Sequence, residues 1–218
     1  MTDAVTRRQR IIQEIGAAAR LARRDPDDVT LIAVSKTREA GEIAALIAAG
    51  QRHFGESRVQ EAAAKWPGLL ARHPGLTLHC IGRLQSNKAA EAVRLFDVIH
   101  SVDRLSLLEA LVREADKAGR APGVYVQVNI GEEEQKGGCA LEEVGALVAA
   151  VRASPLPLAG LMAIPRLGLE PSPFFALLAR IARDHGVTGL SMGMSSDFKA
   201  AVMLGATAVR VGTALFEG

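Results

Sequence analysis

Apolar runs rich in β-branched residues recur along the chain, separated by stretches of helical periodicity. Eight such runs are predicted as strands: residues 30–35, 52–55, 77–82, 98–102, 123–130, 158–164, 189–194 and 208–215. Leu31-Ile32-Ala33-Val34 and Val124-Tyr125-Val126-Gln127-Val128 are nearly continuous in apolar character, which suits parallel strands covered on both faces. Between the runs lie amphipathic helices. Leu105, Leu108, Leu111 and Val112 share one face after Asp103, a predicted N-cap, with Gly119 as a stop. Leu141, Val144, Leu147, Val148 and Val151 form a second stripe, and Ile43, Leu46 and Ile47 before Gly50 a third. An additional helix opens the chain over residues 4–23, with Ile11, Ile12 and Ile15 as its apolar positions.

Strand and helix alternating eight times allow a closed (β/α)8 TIM-type barrel or an open doubly wound sheet. No Gly-x-Gly-x-x-Gly turn follows the first strand, so the α/β reading settles on the barrel with an extra N-terminal helix. Neither linker nor repeat divides the chain, and residues 1–218 are expected to form a single domain.

Composition narrows the class. Hydrophobic residues make up 49% and charged residues 23% of the 218, with a formal net charge of +2. Basic and acidic residues are interspersed, so no nucleic-acid surface is indicated; the run Thr6-Arg7-Arg8-Gln9-Arg10 reads as the solvated face of the first helix. No apolar stretch suggests a membrane span and no leader is recognised at the N-terminus, so a cytoplasmic protein is expected. Cys80 and Cys139 stand far apart, and the five histidines (53, 73, 79, 100, 185) form no His-x-x-x-His pair. No metal site is expected.

Barrels place their chemistry at the C-terminal ends of the strands, and polar residues collect there. Lys36 follows the first run; Glu56, Ser57 and Arg58 follow the second, and Arg83 to Lys88 the third. Asn129 closes the fifth, Ser195-Ser196-Asp197 follow the seventh, and Gly212-Thr213 lie toward the end of the eighth. The loop Gly193-Met194-Ser195-Ser196-Asp197 leads into Phe198, Ala201 and Val202, a helix expected to end at Gly205. Its two serines near a helix N-terminus suit an anion, although serine also serves as an ordinary N-cap. Gly212-Thr213 on the neighbouring strand favours the anion, since phosphate-binding barrels build such sites after strands seven and eight.

Lys36 alone would be a solvated lysine. Sharing a rim with a phosphate cradle, it becomes a candidate for imine formation with an aldehyde. Pyridoxal phosphate carries both groups, but a sugar-phosphate aldolase would use the same pair. Arg210 lies two residues before Gly212, on the same strand face, which should point into the barrel. It could satisfy a buried ion pair, or face a pyridine nitrogen and keep it unprotonated.

Several segments resemble the pyridoxal phosphate homeostasis proteins, relatives by fold of the barrel domain of bacterial alanine racemase. They include Ala33-Val34-Ser35-Lys36-Thr37, Phe54-Gly55-Glu56, Arg58-Val59-Gln60-Glu61, Ile81-Gly82 with Leu84-Gln85-Ser86-Asn87-Lys88, and Gln127-Val128-Asn129-Ile130. Gly160-Leu161-Met162, the stretch from Leu190 to Phe198, and that from Arg210 to Phe216 complete the series. The resemblance implies that Lys36 carries the Schiff base of pyridoxal 5′-phosphate. It places Ser195, Ser196, Gly212 and Thr213 around the phosphate with Met194 lending backbone, Ser57 and Ile81 at the cofactor, and Arg210 beside the pyridine nitrogen. No catalytic residue is assigned. It also implies a cytoplasmic monomer that influences vitamin B6 pools and amino-acid metabolism, with apoenzymes as possible recipients. Three positions depart from the pattern: Ser57 replaces an asparagine, Arg83 a frequent histidine, and Gly137-Gly138 a serine-containing pair after Gln135-Lys136.

The rival reading is a pyridoxal enzyme such as an amino-acid racemase, and a Schiff-base aldolase is a third. Racemisation needs proton donors on both faces of the substrate. Tyr125 is the only tyrosine, and it precedes Asn129 by about 13 Å along a strand, deep in the barrel or facing its helices. An aldolase would need Glu56 or Asp197 beside Lys36. An arginine at the pyridine makes a poorer electron sink, which also favours cofactor handling over catalysis.

Overall fold

The computed structural model describes residues 3–133 and 136–217. Eight parallel strands among these residues close into a barrel in chain order, so the open-sheet alternative is excluded. They are β1 (Thr30–Val34), β2 (His53–Glu56), β3 (Thr77–Cys80), β4 (Val98–Val102), β5 (Gly123–Gln127), β6 (Leu158–Met162), β7 (Leu190–Met194) and β8 (Ala208–Val211). The closing pair is β1 with β8, where Ile32 lies opposite Arg210 and Ala33 opposite Val211.

The helices are α1 (Ala4–Leu21), α2 (Ala40–Ala48), α3 (Val59–Arg72), α4 (Ala89–Leu95), α5 (Leu105–Ala118), α6 (Val144–Arg152), α7 (Ser172–Asp184), α8 (Phe198–Met203) and α9 (Thr213–Phe216). Their apolar stripes cover the outside of the sheet: Ile43, Leu46 and Ile47 of α2, Leu108 and Leu111 of α5, and Val144, Leu147, Val148 and Val151 of α6 are all buried. The added helix α1 packs near the chain's other end. Arg24, just after it, donates from Nη1 to the carbonyls of Val202 (2.8 Å) and Ala206 (2.9 Å).

Several sequence expectations change. Of the three isoleucines expected as the apolar positions of α1, Ile11 and Ile15 are buried, whereas Ile12 is exposed, because it falls off the 3.6-residue stripe. Asp103 does not cap α5; Arg104 holds that position without a side-chain bond, and the Asp103 carboxylate accepts from Arg104 instead. Gly119 does terminate α5, in the left-handed conformation at φ 60°. The fifth strand ends at Gln127, leaving Asn129 in the following loop. The eighth strand stops at Val211 rather than running to 215: the backbone turns at Gly212, and Thr213 begins α9. Gln135, in a segment that departs from the family pattern, lies outside the described residues.

Candidate functional site at the C-terminal mouth of the barrel

A cavity of about 400 Å³ opens at the C-terminal end of the strands. Its walls are Val34 and Lys36 from the β1 end, Ser57 after β2, Ile81 after β3, Ile164 after β6, Met194, Ser195 and Ser196 from the β7–α8 turn, and Arg210, Gly212 and Thr213 from β8 and α9. All nine residues proposed from sequence as cofactor-binding therefore meet at one cavity. The sequence reading missed Val34 and Ile164, which are aliphatic and carry no mark distinguishing them from core positions.

Lys36 is exposed, and among the described residues none makes a hydrogen bond or ion pair with its ammonium. Its backbone, by contrast, is tied down. Thr37 adopts φ 61°, a left-handed conformation that a β-branched residue adopts only when its surroundings impose it. Two residues one helical turn apart on α3 impose it here. Glu61 Oε1 accepts from the Thr37 N–H at 2.6 Å, and Lys65 Nζ donates to the carbonyls of Ser35 (2.9 Å) and Arg38 (3.3 Å). Lys65 also pairs at 2.8 Å with Glu56, which is fully buried and accepts from Ser35 Oγ and Trp66 Nε1. Glu56 thus faces the helix layer, not the cavity, and the aldolase reading loses that carboxylate. The i, i+4 spacing of Glu61 and Lys65 was visible in the sequence, but their target was not.

The turn between β7 and α8 closes on itself. Asp197 Oδ1 accepts from the Met194 N–H at 2.6 Å, and the Asp197 N–H donates to the Met194 carbonyl at 3.1 Å. Ser195 Oγ accepts from the Gly212 N–H at 3.2 Å, linking the two phosphate-cradle candidates. The serines precede Asp197, which stands as the N-cap of α8. That helix has only six residues, so its dipole is small, and the turn offers an anion hydroxyls and first-turn N–H groups rather than a strong helix field. Gly193 permits the turn: φ is 92°, and a Cβ there would sit 2.6 Å from the Ala201 Cβ.

Arg210 reaches the cavity from below while being 4% exposed. It donates to Ser191 Oγ at 2.6 Å and to the Ala163 carbonyl at 3.1 Å. Burial lowers its pKa to about 10, partly opposed by Asp197 and Tyr125, so it carries its charge at neutral pH. Other rim candidates stay outside. Arg58 precedes α3, Lys88 pairs with Glu91 at 3.0 Å, and Asn129 donates to the Glu133 carbonyl at 3.0 Å. Tyr125 stacks on His100 inside the barrel, with centroids 4.3 Å apart. Among the described residues no group of three or more His, Cys, Asp or Glu is placed to hold a metal ion, and no helix is long and apolar enough to cross a membrane.

The family model of the alanine racemase N-terminal domain matches residues 8–218, a span that holds all eight strands of the barrel. Among its relatives is the pyridoxal phosphate homeostasis protein of Pseudomonas aeruginosa, 45% identical over 95% of this chain and 92% of that protein. The Escherichia coli protein of the same name is 39% identical over 99% of this chain and 97% of its own length. A solved structure of PipY from Synechococcus elongatus with PLP bound superposes with a TM-score of 0.79 at 44% identity, covering 93% of this chain and 99% of that one. The chain belongs to the family of pyridoxal phosphate homeostasis proteins.

Proposed function

We propose that this chain binds pyridoxal 5′-phosphate in the cavity at the mouth of the barrel and handles the cofactor for intracellular vitamin B6 homeostasis. The carrying observation is that one cavity of suitable volume gathers an amine, a group of hydroxyls and a buried guanidinium. These match the aldehyde, the phosphate and the ring nitrogen of that ligand. Lys36 would hold the aldehyde carbon. Ser195, Ser196 and Thr213, with the backbone at Met194 and Gly212, would hold the phosphate, and Arg210 would donate toward the ring nitrogen. Ser57 and Ile81 would border the ring. When bound, the cofactor supplies an electrophilic carbonyl and a ring able to delocalise negative charge.

Handling is favoured over turnover by the position of Tyr125. A racemase needs a second proton donor facing the lysine across the substrate. Tyr125 is the sole tyrosine, and its stacking on His100 keeps it within the barrel rather than at the cavity. In this reading the chain is one domain, acts in the cytoplasm as a monomer, and passes the cofactor to apoenzymes.

Titrating the protein with pyridoxal phosphate should give a visible absorbance band that borohydride removes, with the label on Lys36 by peptide mapping. Lys36→Ala should lose the band and keep its fold. Labelling of Lys88 or Lys136 instead would refute the assignment. In deuterated water the loaded protein should not racemise L-alanine; turnover within the enzymatic range of about 1–1000 per second, abolished by Lys36→Ala, would make it a catalyst.

A further inference from the structure

Below the cavity the barrel is crossed by a line of hydrogen-bonded polar side chains. His53, half-buried at the start of β2, has its Nδ1 3.1 Å from His79 Nε2. His79 Nδ1 is 2.9 Å from His100 Nε2, and His100 Nδ1 is 2.9 Å from Ser191 Oγ. Ser191 in turn meets Arg210. From His79 onward the line is buried.

The direction of every bond follows from its last member. A guanidinium only donates, so Ser191 Oγ accepts from Arg210. The hydroxyl has one proton, and its other partner among the described residues is His100 Nδ1, so that proton finds an acceptor only when His100 Nδ1 takes it. His100 then donates from Nε2 to His79 Nδ1, and His79 from Nε2 to His53 Nδ1. All three rings are neutral with the proton on Nε2. Burial lowers the pKa of each, that of His79 to about 3, which agrees with this assignment. The charged and titratable groups facing the line are Asp97 beside His53, Tyr125 against His100, and Asp197 beside Arg210.

Packing alone does not ask for these residues. Barrel interiors are ordinarily filled by branched aliphatic side chains, and a buried polar network is retained at a cost unless every member is satisfied. We propose that His53, His79, His100 and Ser191 are positioning residues for Arg210, holding its guanidinium in one orientation on the cavity floor with its remaining N–H groups toward the ligand. The inference rests on the pyridoxal phosphate reading only for what Arg210 meets there. A proton added to His53 must enter at Nδ1, which already accepts from His79. Accommodating it reverses the line, making His100 a donor to Ser191 and leaving the hydroxyl proton without an acceptor beside Arg210. Protonation at the base of the barrel is thereby transmitted to the floor of the cavity.

Nitrogen-15 spectra of the ligand-free protein should show His53, His79 and His100 as neutral Nε2–H tautomers at pH 7. His79→Leu cuts the line without touching a cavity residue. It should shift the Arg210 Nε–H resonance, weaken pyridoxal phosphate binding about fivefold, as for one hydrogen bond of lost preorganisation, and alter the pH profile of the bound cofactor's absorbance. Should His79→Leu fail to fold, His53→Phe at the half-buried end tests the same coupling. A protonated or Nδ1–H His100 in the unaltered protein would overturn the proposal. So would a folded variant with an unchanged Arg210 resonance and an unchanged absorbance profile. If the unaltered protein binds no pyridoxal phosphate, the functional reading fails, while the tautomers and the Arg210 resonance still decide the line.

Discussion

Lowering the pH from 7.5 to 5 places protons on the histidines of the unfolded chain, whose ordinary pKa is about 6.5, but not on the buried ones of the folded barrel. For His79 the folded value is about 3, depressed by burial and by the neighbouring His53. Between those two values the unfolded state binds more protons, so stability rises with pH. The contribution is complete above about pH 7 and is lost progressively as the pH falls from about 6.5 toward 3, at about 1.4 kcal/mol per pH unit for one histidine. At pH 5 His79 alone therefore removes about 2 kcal/mol from a total that is about 5–15 kcal/mol for a typical domain. His100, also held below its ordinary value by burial, acts in the same direction. His53 is half-buried and contributes less, because solvent screens its charge. Urea unfolding at pH 7.5 and 5 for the natural chain and for His79→Leu isolates the effect, since both share the same carboxylates. The variant should be less stable at pH 7.5 yet lose about 2 kcal/mol less on acidification. Equal losses, or a His79 titration near pH 6.5 in the folded protein, would refute the reasoning.

Pyridoxal lacking its phosphate should bind at least about 100-fold more weakly than pyridoxal phosphate, from the loss of two or more charge-assisted hydrogen bonds of about 1.5–3 kcal/mol each. Equal dissociation constants by absorbance titration would remove Ser195, Ser196 and Thr213 from the phosphate site. Gly82→Ala would place a Cβ 2.0 Å from the Ser57 carbonyl oxygen, which is main chain and cannot rotate away. The cavity wall at Ser57 must shift, costing about 2 kcal/mol or about 4–8 °C in melting temperature, and cofactor affinity should fall with it. A melting curve and affinity matching the natural chain would show that the wall tolerates the displacement.

The barrel was legible in the chain because alternation of apolar strand and amphipathic helix is a local property, and each segment carries its own periodicity. The rim was legible for a related reason. A residue that ends a parallel strand in a barrel must face the mouth or the helices, so Lys36, the 194–196 turn and Gly212-Thr213 could be collected before their contacts were known. Boundaries such as the break at Gly212 were not, because the small and apolar residues around Arg210 and Thr213 continue from Ala208 to Leu215 and periodicity does not mark where a backbone turns. Which strand-end residues face inward was also undecided. Glu56 and Ser57 are neighbours, yet register and packing send the first to Lys65 and Trp66 and the second to the cavity. The histidines show the limit most clearly. His53, His79 and His100 lie on three different strands and form no spaced motif. Only the closure of the sheet, with His53 opposite Thr77 and His79 opposite Val98, brings their inward faces into one line ending at Ser191 and Arg210. Sequence determined the elements and the chemistry at their ends, because both are set by residues close along the chain. Tertiary structure decided which polar groups share the barrel interior, because that depends on the stagger between strands distant in sequence.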